Sequence, residues 1–291
     1  MNKNKVRIQA VLYKNDAQDV TRSIESFIIA AKYSNTEIEF SYGDASPKPC
    51  INKETFEECE INSGISIEYN FFNENTGYGK GHNILADNAN SEYILVTNPD
   101  IIVNESFFKF ILDDAEKQNV GMVEARQTPL EHPKFYNPKT YETSWCSGAC
   151  TLIKTGIYKL VDGFDWQTFW MYCEDVDISW RIRLLGYKLL YQPKAIAFHP
   201  KHLSNTAGWE PTETEQIQSA KANLLMAYKW SNDVLLKRLI KQYKKNNDQY
   251  QLSAIESFEE LKSSNNLPNR IKASAEITTF TEDYDYSLKR W

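Results

Sequence analysis

The sequence predicts an α/β fold, a mostly parallel central sheet flanked by helices, with a C-terminal helical extension. Three observations predict it. Short apolar runs recur through the first two-thirds of the chain, each bounded by turn residues. Amphipathic segments at helical spacing separate them, which is the rhythm of strand–helix–strand units. Beyond Pro211 the pattern becomes helical and polar throughout.

Val6–Tyr13 reads as a first strand buried on both faces, and Asp16 or Asp19 caps a helix running to Ala31, with Val20, Ile24, Phe27 and Ile28 on one face. Glu37–Tyr42 is a second strand, ending in the loop Gly43-Asp44-Ala45-Ser46-Pro47. Ile65–Phe72 is a third, followed by a Gly-rich loop and a helix around Asn83–Ala89. Tyr93–Thr97 is a fourth, closed by Asn98-Pro99-Asp100; Ser106–Lys117 is helical and Val120–Ala125 strand-like. Residues 128–142, with three prolines, read as a long surface loop. Ser147–Ile153 returns as a strand, Glu174–Leu185 as a helix, and Lys188–Tyr191 and Ala195–Phe198 as two short strands. Helices are expected over 213–231, 233–245 and 252–263. The expected division is a catalytic domain over 1–210 and a helical extension over 211–291. Ligands of a parallel sheet bind at the carboxyl ends of its strands, so the loops starting at Lys14, Gly43, Asn73 and Asn98 should converge on one crevice.

The chain of 291 residues is long enough for one large core. A net charge of −6 argues against a general nucleic-acid binder, which would show a basic face. No run approaches the roughly 20 apolar residues of a membrane-spanning helix. Met1–Lys5 leads straight into a strand, so no signal peptide is expected. Five cysteines, an odd set, read as reduced cytosolic thiols. Cys146 and Cys150 with His199 and His202 do not make zinc the favoured reading: His-x-x-His is close to a ligand spacing, but the cysteines stand wider apart than the usual two-residue knuckle.

Four places could carry chemistry. Asp100 stands at a strand's carboxyl edge because Pro99 stops the strand, and a carboxylate there suits a Mg²⁺ or Mn²⁺ that grips a diphosphate. Taken alone, Asn-Pro-Asp reads first as common turn or helix-capping chemistry. Glu174-Asp175-Val176-Asp177 follows an aromatic-rich run, 163–172, where a low dielectric can poise a carboxylate as a base. Asp177 and Arg181 are four apart and pair on one helix face, so Asp177 is structural and Asp175 the candidate base. The stretch Asn75-Thr76-Gly77-Tyr78-Gly79-Lys80-Gly81-His82-Asn83 offers glycines for close backbone approach, yet it matches neither a Rossmann nor a Walker loop. His199 closes the last strand, where a lone histidine is more often structural than a ligand.

In order, these pieces resemble the inverting family 2 glycosyltransferases of GT-A fold, above all the rhamnosyltransferase-like branch. The series runs from Tyr13-Lys14-Asn15 through Asp44-Ala45-Ser46, Asn75-x-Gly77-x-Gly79-x-Gly81-x-Asn83, Asn98-Pro99-Asp100, Gly148 and Gly163-Phe164-Asp165. It ends with Glu174-Asp175-Val176-Asp177, Arg181, Gly186, Pro193 and His199, and it covers roughly 6–202. The resemblance implies that Asp100 binds the metal, Mn²⁺ or Mg²⁺, with His199 as second ligand, and that Asp175 is the base with Glu174 supporting it. It also implies that Tyr13 and Asp44 hold the nucleotide base, and that Gly77, Gly79, Lys80, Asn83 and Asn98 flank the donor. Relatives usually carry Asp-Asn-x-Ser after the second strand; here it is Gly43-Asp44-Ala45-Ser46, which leaves uridine or thymidine open. The expected activity is transfer of a sugar from a UDP- or dTDP-sugar to a hydroxyl of a saccharide or lipid-linked saccharide, in bacterial surface polysaccharide or glycoconjugate synthesis.

Two rival readings fit the sequence less well. A sugar-phosphate nucleotidyltransferase would carry a Gly-rich, Arg-containing loop after the first strand, and Tyr13-Lys14-Asn15-Asp16 is unlike it. A non-catalytic carbohydrate-binding or partner subunit on the same scaffold would not need Asp100, Asp175 and His199 together. Residues 229–245 hold six basic side chains against Asp233 alone, with Leu235, Leu236, Leu239, Ile240 and Tyr243 at helical spacing. The favoured reading is a helix packing its apolar face inward; the sharper one is a cytoplasmic protein lying peripherally on anionic lipid at the inner membrane face.

Overall fold

The computed structural model describes residues 5–130, 134–200 and 211–280. The strands are β1 (Lys5–Leu12), β2 (Glu37–Asp44), β3 (Ile67–Phe71), β4 (Tyr93–Thr97), β5 (Ile102–Val103), β6 (Val120–Thr128), β7 (Cys150–Lys154) and β8 (Lys188–Phe198). The helices are α1 (Ala17–Ser34), α2 (Lys53–Ser63), α3 (Gly77–Ala86), α4 (Phe107–Ala115), α5 (Thr155–Leu160), α6 (Glu174–Leu184), α7 (Glu213–Lys229), α8 (Asp233–Asn246) and α9 (Gln249–Ser263).

The sheet order is β3-β2-β1-β4-β7-β6-β8-β5. β3, β2, β1 and β4 run parallel; β7 is antiparallel to both β4 and β6, and β6 is parallel to β8. The ends of β1, β2, β4, β6 and β8 therefore share one edge with the start of β7. β4 shows why the sheet is sandwiched: Tyr93 and Leu95 enter the core under α1 and α4, while Ile94 and Val96 enter the core under α5 and α6.

Several sequence expectations are corrected here. The helix α2 was not foreseen, because Phe56 is its one buried side chain and leaves no apolar stripe to read. The supposed Gly-rich loop is the first part of α3, and α5 follows β7 without a break. The last strand-like pieces are a single strand, β8. Its pairing with β6 jumps from Gln192 opposite Ala125 to Ile196 opposite Arg126, so Pro193, which has no N–H to give, sits in the irregularity. Ser147–Ala149 is a turn before β7 rather than its first part. Asp16, not Asp19, caps α1 by accepting from the Gln18 amide.

The C-terminal helices share a core with the rest of the chain. Trp145, Val176 and Trp180 pack with Leu224, Leu225, Trp230, Leu235, Leu239 and Tyr243, and Trp180 meets Trp230 edge-to-face at 5.3 Å. α8 thus turns its apolar face inward. Lys237, Arg238, Lys241, Lys244 and Lys245 are exposed, but Lys229 is buried and leaves the basic face. Among the described residues, no helix is long and apolar enough to cross a membrane.

Candidate functional site

The ends of β4 and β8 bring three polar side chains together. Asn98 is fixed by its amide on the Ala149 carbonyl at 2.9 Å, and His199 by its amide on the Thr128 carbonyl at 2.8 Å. The Asn98 side-chain nitrogen lies 3.1 Å from His199 Nε2, which in turn lies 3.6 Å from Asp100 Oδ1. Pro99 ends the strand between them, so Asp100 is partly open to solvent. A carboxylate oxygen and an imidazole nitrogen at this separation fit two neighbouring positions around Mn²⁺ or Mg²⁺, leaving the others for phosphate oxygens and water. Among the described residues, no third His, Cys, Asp or Glu completes a protein-only cation site. His202 lies outside the described residues, and Cys146 and Cys150 are buried free thiols.

Across from this cluster stands the start of α6. Tyr172 and Cys173 both take left-handed backbone, with φ of 69° and 65°. Such a conformation costs non-glycine residues about 1–3 kcal/mol each, and it turns the chain sharply into Glu174 and Asp175. The Asp175 carboxylate accepts from the amides of Gly148 (3.1 Å) and Val176 (2.8 Å). Burial pushes its carboxyl above the usual carboxylate range; the Gly148 and Val176 amides and the Lys134 ammonium oppose that shift without cancelling it. Glu174 is buried, and its Oε2 has no hydrogen-bond partner. Burial first, then the Asp175 charge, raise its carboxyl to about 8. Asp177 is structural as expected: it accepts from Arg181 Nε (2.7 Å), Trp230 Nε1 (3.1 Å) and Lys229 Nζ (2.6 Å).

Asn98, Gly148, Glu174, Asp175 and His199 line one open cleft of about 320 Å³. Sequence reasoning missed several of its walls. Tyr78 donates to the Gly148 carbonyl at 2.5 Å, and the hydroxyl of Tyr172 donates to Glu215 at 3.3 Å. Glu215 belongs to the capping box of α7, so the C-terminal extension borders the cleft. The box was readable in Thr212-x-x-Glu215; its position over the cleft was not.

The remaining predicted residues lie outside this cleft. Asp44 is buried, and accepts from the amides of Ser46 (2.9 Å) and Cys50 (2.8 Å) and the hydroxyl of Tyr69 (2.8 Å). Burial raises its carboxyl, but those hydrogen bonds outweigh burial and hold it below the usual range. Its carboxylate is thus bound into the turn by three hydrogen bonds. Tyr13 is exposed at the end of β1, beside the Lys14 amide that donates to Ser46 at 2.8 Å. Gly77 has a φ of +67° and sits so near Trp170 that a Cβ would stand 2.8 Å from its Nε1; at Gly81 a Cβ would meet Val11 at 2.6 Å. These glycines, and Gly79 against Phe164, let α3 dock closely. Lys80 pairs with Glu74 at 2.6 Å beside Trp166, and Asn83 bonds the Phe164 backbone and the Tyr158 hydroxyl. None of Tyr13, Asp44, Gly77, Gly79, Lys80 and Asn83 lines the cleft that holds Asp175.

No family model matches the chain. Rhamnosyltransferase WbbL of Escherichia coli (strain K12) is 28% identical over 147 residues, covering 40% of this chain and 55% of that protein. The N-acetylglucosaminyl-diphospho-decaprenol L-rhamnosyltransferase of Mycobacterium tuberculosis (strain CDC 1551 / Oshkosh) is 34% identical over 74 residues, 25% of this chain and 23% of that protein. The chain thus spans about half the length of the first relative and about a quarter of the second. Among solved structures, GalNAc-T7 with UDP, GalNAc and Mn²⁺ matches with a TM-score of 0.63 and 13% identity, over 91% of this chain and 59% of that one. The fold is therefore that of GT-A glycosyltransferases, with C-terminal helices added. Sequence relatives and fold together bear out the resemblance to rhamnosyltransferase-like family 2 enzymes.

Proposed function

We propose that this chain is a metal-dependent inverting glycosyltransferase that moves a hexosyl or rhamnosyl group from a UDP- or dTDP-sugar to a hydroxyl acceptor. The single observation that carries this reading is that Asp175 opens on the same cleft as Asn98 and His199, with Asp100 Oδ1 3.6 Å from His199 Nε2. Asp175 takes the proton of the attacking acceptor hydroxyl, and the Gly148 amide holds the carboxylate in one orientation while it does so. Glu174, kept neutral by burial, adds no second charge beside it. A Mn²⁺ or Mg²⁺ held by Asp100 and His199 would supply Lewis-acid charge to the departing diphosphate. Attack and departure occur in one displacement, so configuration inverts and no protein nucleophile is needed.

The exposed ring of Tyr13, beside the Asp44–Ser46 turn, is the platform we assign to the uracil or thymine base. The acceptor is a saccharide or lipid-linked saccharide, and the setting is bacterial surface polysaccharide synthesis; the mycobacterial relative is named for an acceptor on diphospho-decaprenol. We place the protein in the cytoplasm, peripheral to the inner membrane face through α8. The test is a screen of UDP- and dTDP-sugars with Mn²⁺, following free nucleotide diphosphate. Slow release by the wild type, lost on the order of 10²-fold or more in Asp175→Asn, is expected. Release from no donor at all would overturn the reading in favour of a carbohydrate-binding subunit.

A further inference from the structure

The stretch 128–142 reads from sequence as a surface loop, yet Lys134 points inward, with its side chain only 4% exposed. Its ammonium pairs with Glu124, whose side chain is 1% exposed, and donates to the Trp145 carbonyl at 3.1 Å. It also lies 4.3 Å from the centre of the Trp145 ring. The same Glu124 oxygen accepts the Ser147 amide at 3.0 Å, and Gln127 donates to the other oxygen. One residue further on, the Gly148 amide holds Asp175. We propose that Lys134 is a positioning residue: through Glu124 and the Trp145 carbonyl it fixes the 145–149 turn, whose Gly148 amide orients the Asp175 carboxylate.

The alternative is that Lys134 merely stabilises the fold. A buried ion pair is a poor device for that, because desolvation consumes most of its attraction and an apolar pair of equal volume does as well. The charges around Asp175 give the pair a different use. Glu174 and Asp177 stand beside it on α6, Tyr78 faces it from α3, and Cys146 lies in the turn with Arg183 nearby. Burial raises the Cys146 thiol to about 12, so it stays neutral. Lys134 is the cation that acts on Asp175, and it favours the ionised carboxylate. Burial pushes its own ammonium down to about 8, so this support fades as pH rises through that value.

The kinetic part of this inference rests on the proposed transferase reading; the electrostatic part does not. The experiment compares wild type, Lys134→Met and Lys134→Arg. It follows Asp175 by ¹³C-carboxyl NMR, with Asp175→Asn to assign the signal, alongside kcat, donor KM and Tm. In Lys134→Met the Asp175 titration should move to higher pH by about one unit, as for any carboxylate losing a nearby cation. The kcat should fall about tenfold or more with donor KM within about twofold, since the base and not the donor site is disturbed. Lys134→Arg should restore most of both. A lower Tm with an unmoved titration and an unmoved kcat-to-KM split would overturn the proposal and leave Lys134 structural. If wild type turns over no donor, the transferase reading fails, and the NMR titration alone decides for or against Lys134.

Discussion

His199 Nε2 lies 3.6 Å from Asp100 Oδ1, although the two residues end different strands, β8 and β4. Neither strand would place a cation ligand usefully alone; the sheet order brings their carboxyl ends to one edge. Asp100 is partly open and outside the apolar core, so Asp100→Ala should keep the fold while abolishing Mn²⁺-dependent donor binding. Calorimetric titration of UDP- and dTDP-sugars with and without Mn²⁺ checks this. Unchanged affinity in the variant would remove Asp100 from the cation site.

Glu174 gives a pH-dependent prediction about stability. Its carboxyl titrates near 4.5 in the unfolded chain and near 8 when buried in the fold. Between those values the folded chain binds the extra proton, so stability falls as pH rises through this window and the buried group is forced to ionise. Glu174→Gln, which keeps the shape without the charge, removes that loss. Its Tm should match wild type near pH 5 and exceed it increasingly towards pH 9. A constant difference across the range would mean that Glu174 is already ionised in the fold.

Lys229 fastens the C-terminal helices to the rest of the chain. Its ammonium, with a side chain 6% exposed, lies 2.7 Å from Asp165 and 2.6 Å from Asp177. Removing one partner of a buried ion pair costs about 3–5 kcal/mol, because the other is left charged and desolvated. Lys229→Met should therefore lower stability by that order in urea denaturation. Adding Asp177→Asn should recover part of the loss, since the two residues share one interaction. Strictly additive losses, or a loss under about 1 kcal/mol, would show that the latch lies elsewhere, in the Trp180–Trp230 contact.

Much of this was legible in the sequence, and the failures have physical causes. β4 is an apolar run closed by Thr97, and β1 is apolar but for Lys5, Arg7 and Gln9, so both announce buried strands. Asn98-Pro99-Asp100 and Glu174-Asp175 sit where a strand ends and a helix begins, which local chemistry alone can place. The glycines of α3 misled because glycine opposes helix locally, and only Trp170, Phe164 and Val11, distant in sequence, require the missing Cβ. Lys134, Tyr78 and Glu215 gave no signal for a related reason. Their roles depend on which turn folds back beside them, and no periodicity records that. Asp44 sits in the turn the sequence placed after the second strand, but the amides and hydroxyl it binds come from Ser46, Cys50 and Tyr69, a set that no local pattern records.

The basic face of α8 carries the last prediction. With Leu235, Leu239 and Tyr243 buried, the helix is anchored by its apolar face, and Lys237, Arg238, Lys241, Lys244 and Lys245 stand exposed on the other. Val234, 81% exposed, adds an apolar contact at the start of the same helix. In a chain of net charge −6, five clustered cations make a local surface of the opposite sign. Near an anionic membrane each is worth about 1 kcal/mol, enough together for reversible binding and strongly weakened by salt. Co-sedimentation with vesicles containing anionic lipid should therefore recover the protein at low salt and lose it at high salt. Vesicles of neutral lipid should leave it in the supernatant. Lys→Glu changes at 237, 241 and 244 should abolish recovery while Tm holds, because none of the three touches the buried face. Equal recovery with neutral and anionic vesicles, or recovery that the triple variant does not change, would leave α8 a structural helix with a solvated face.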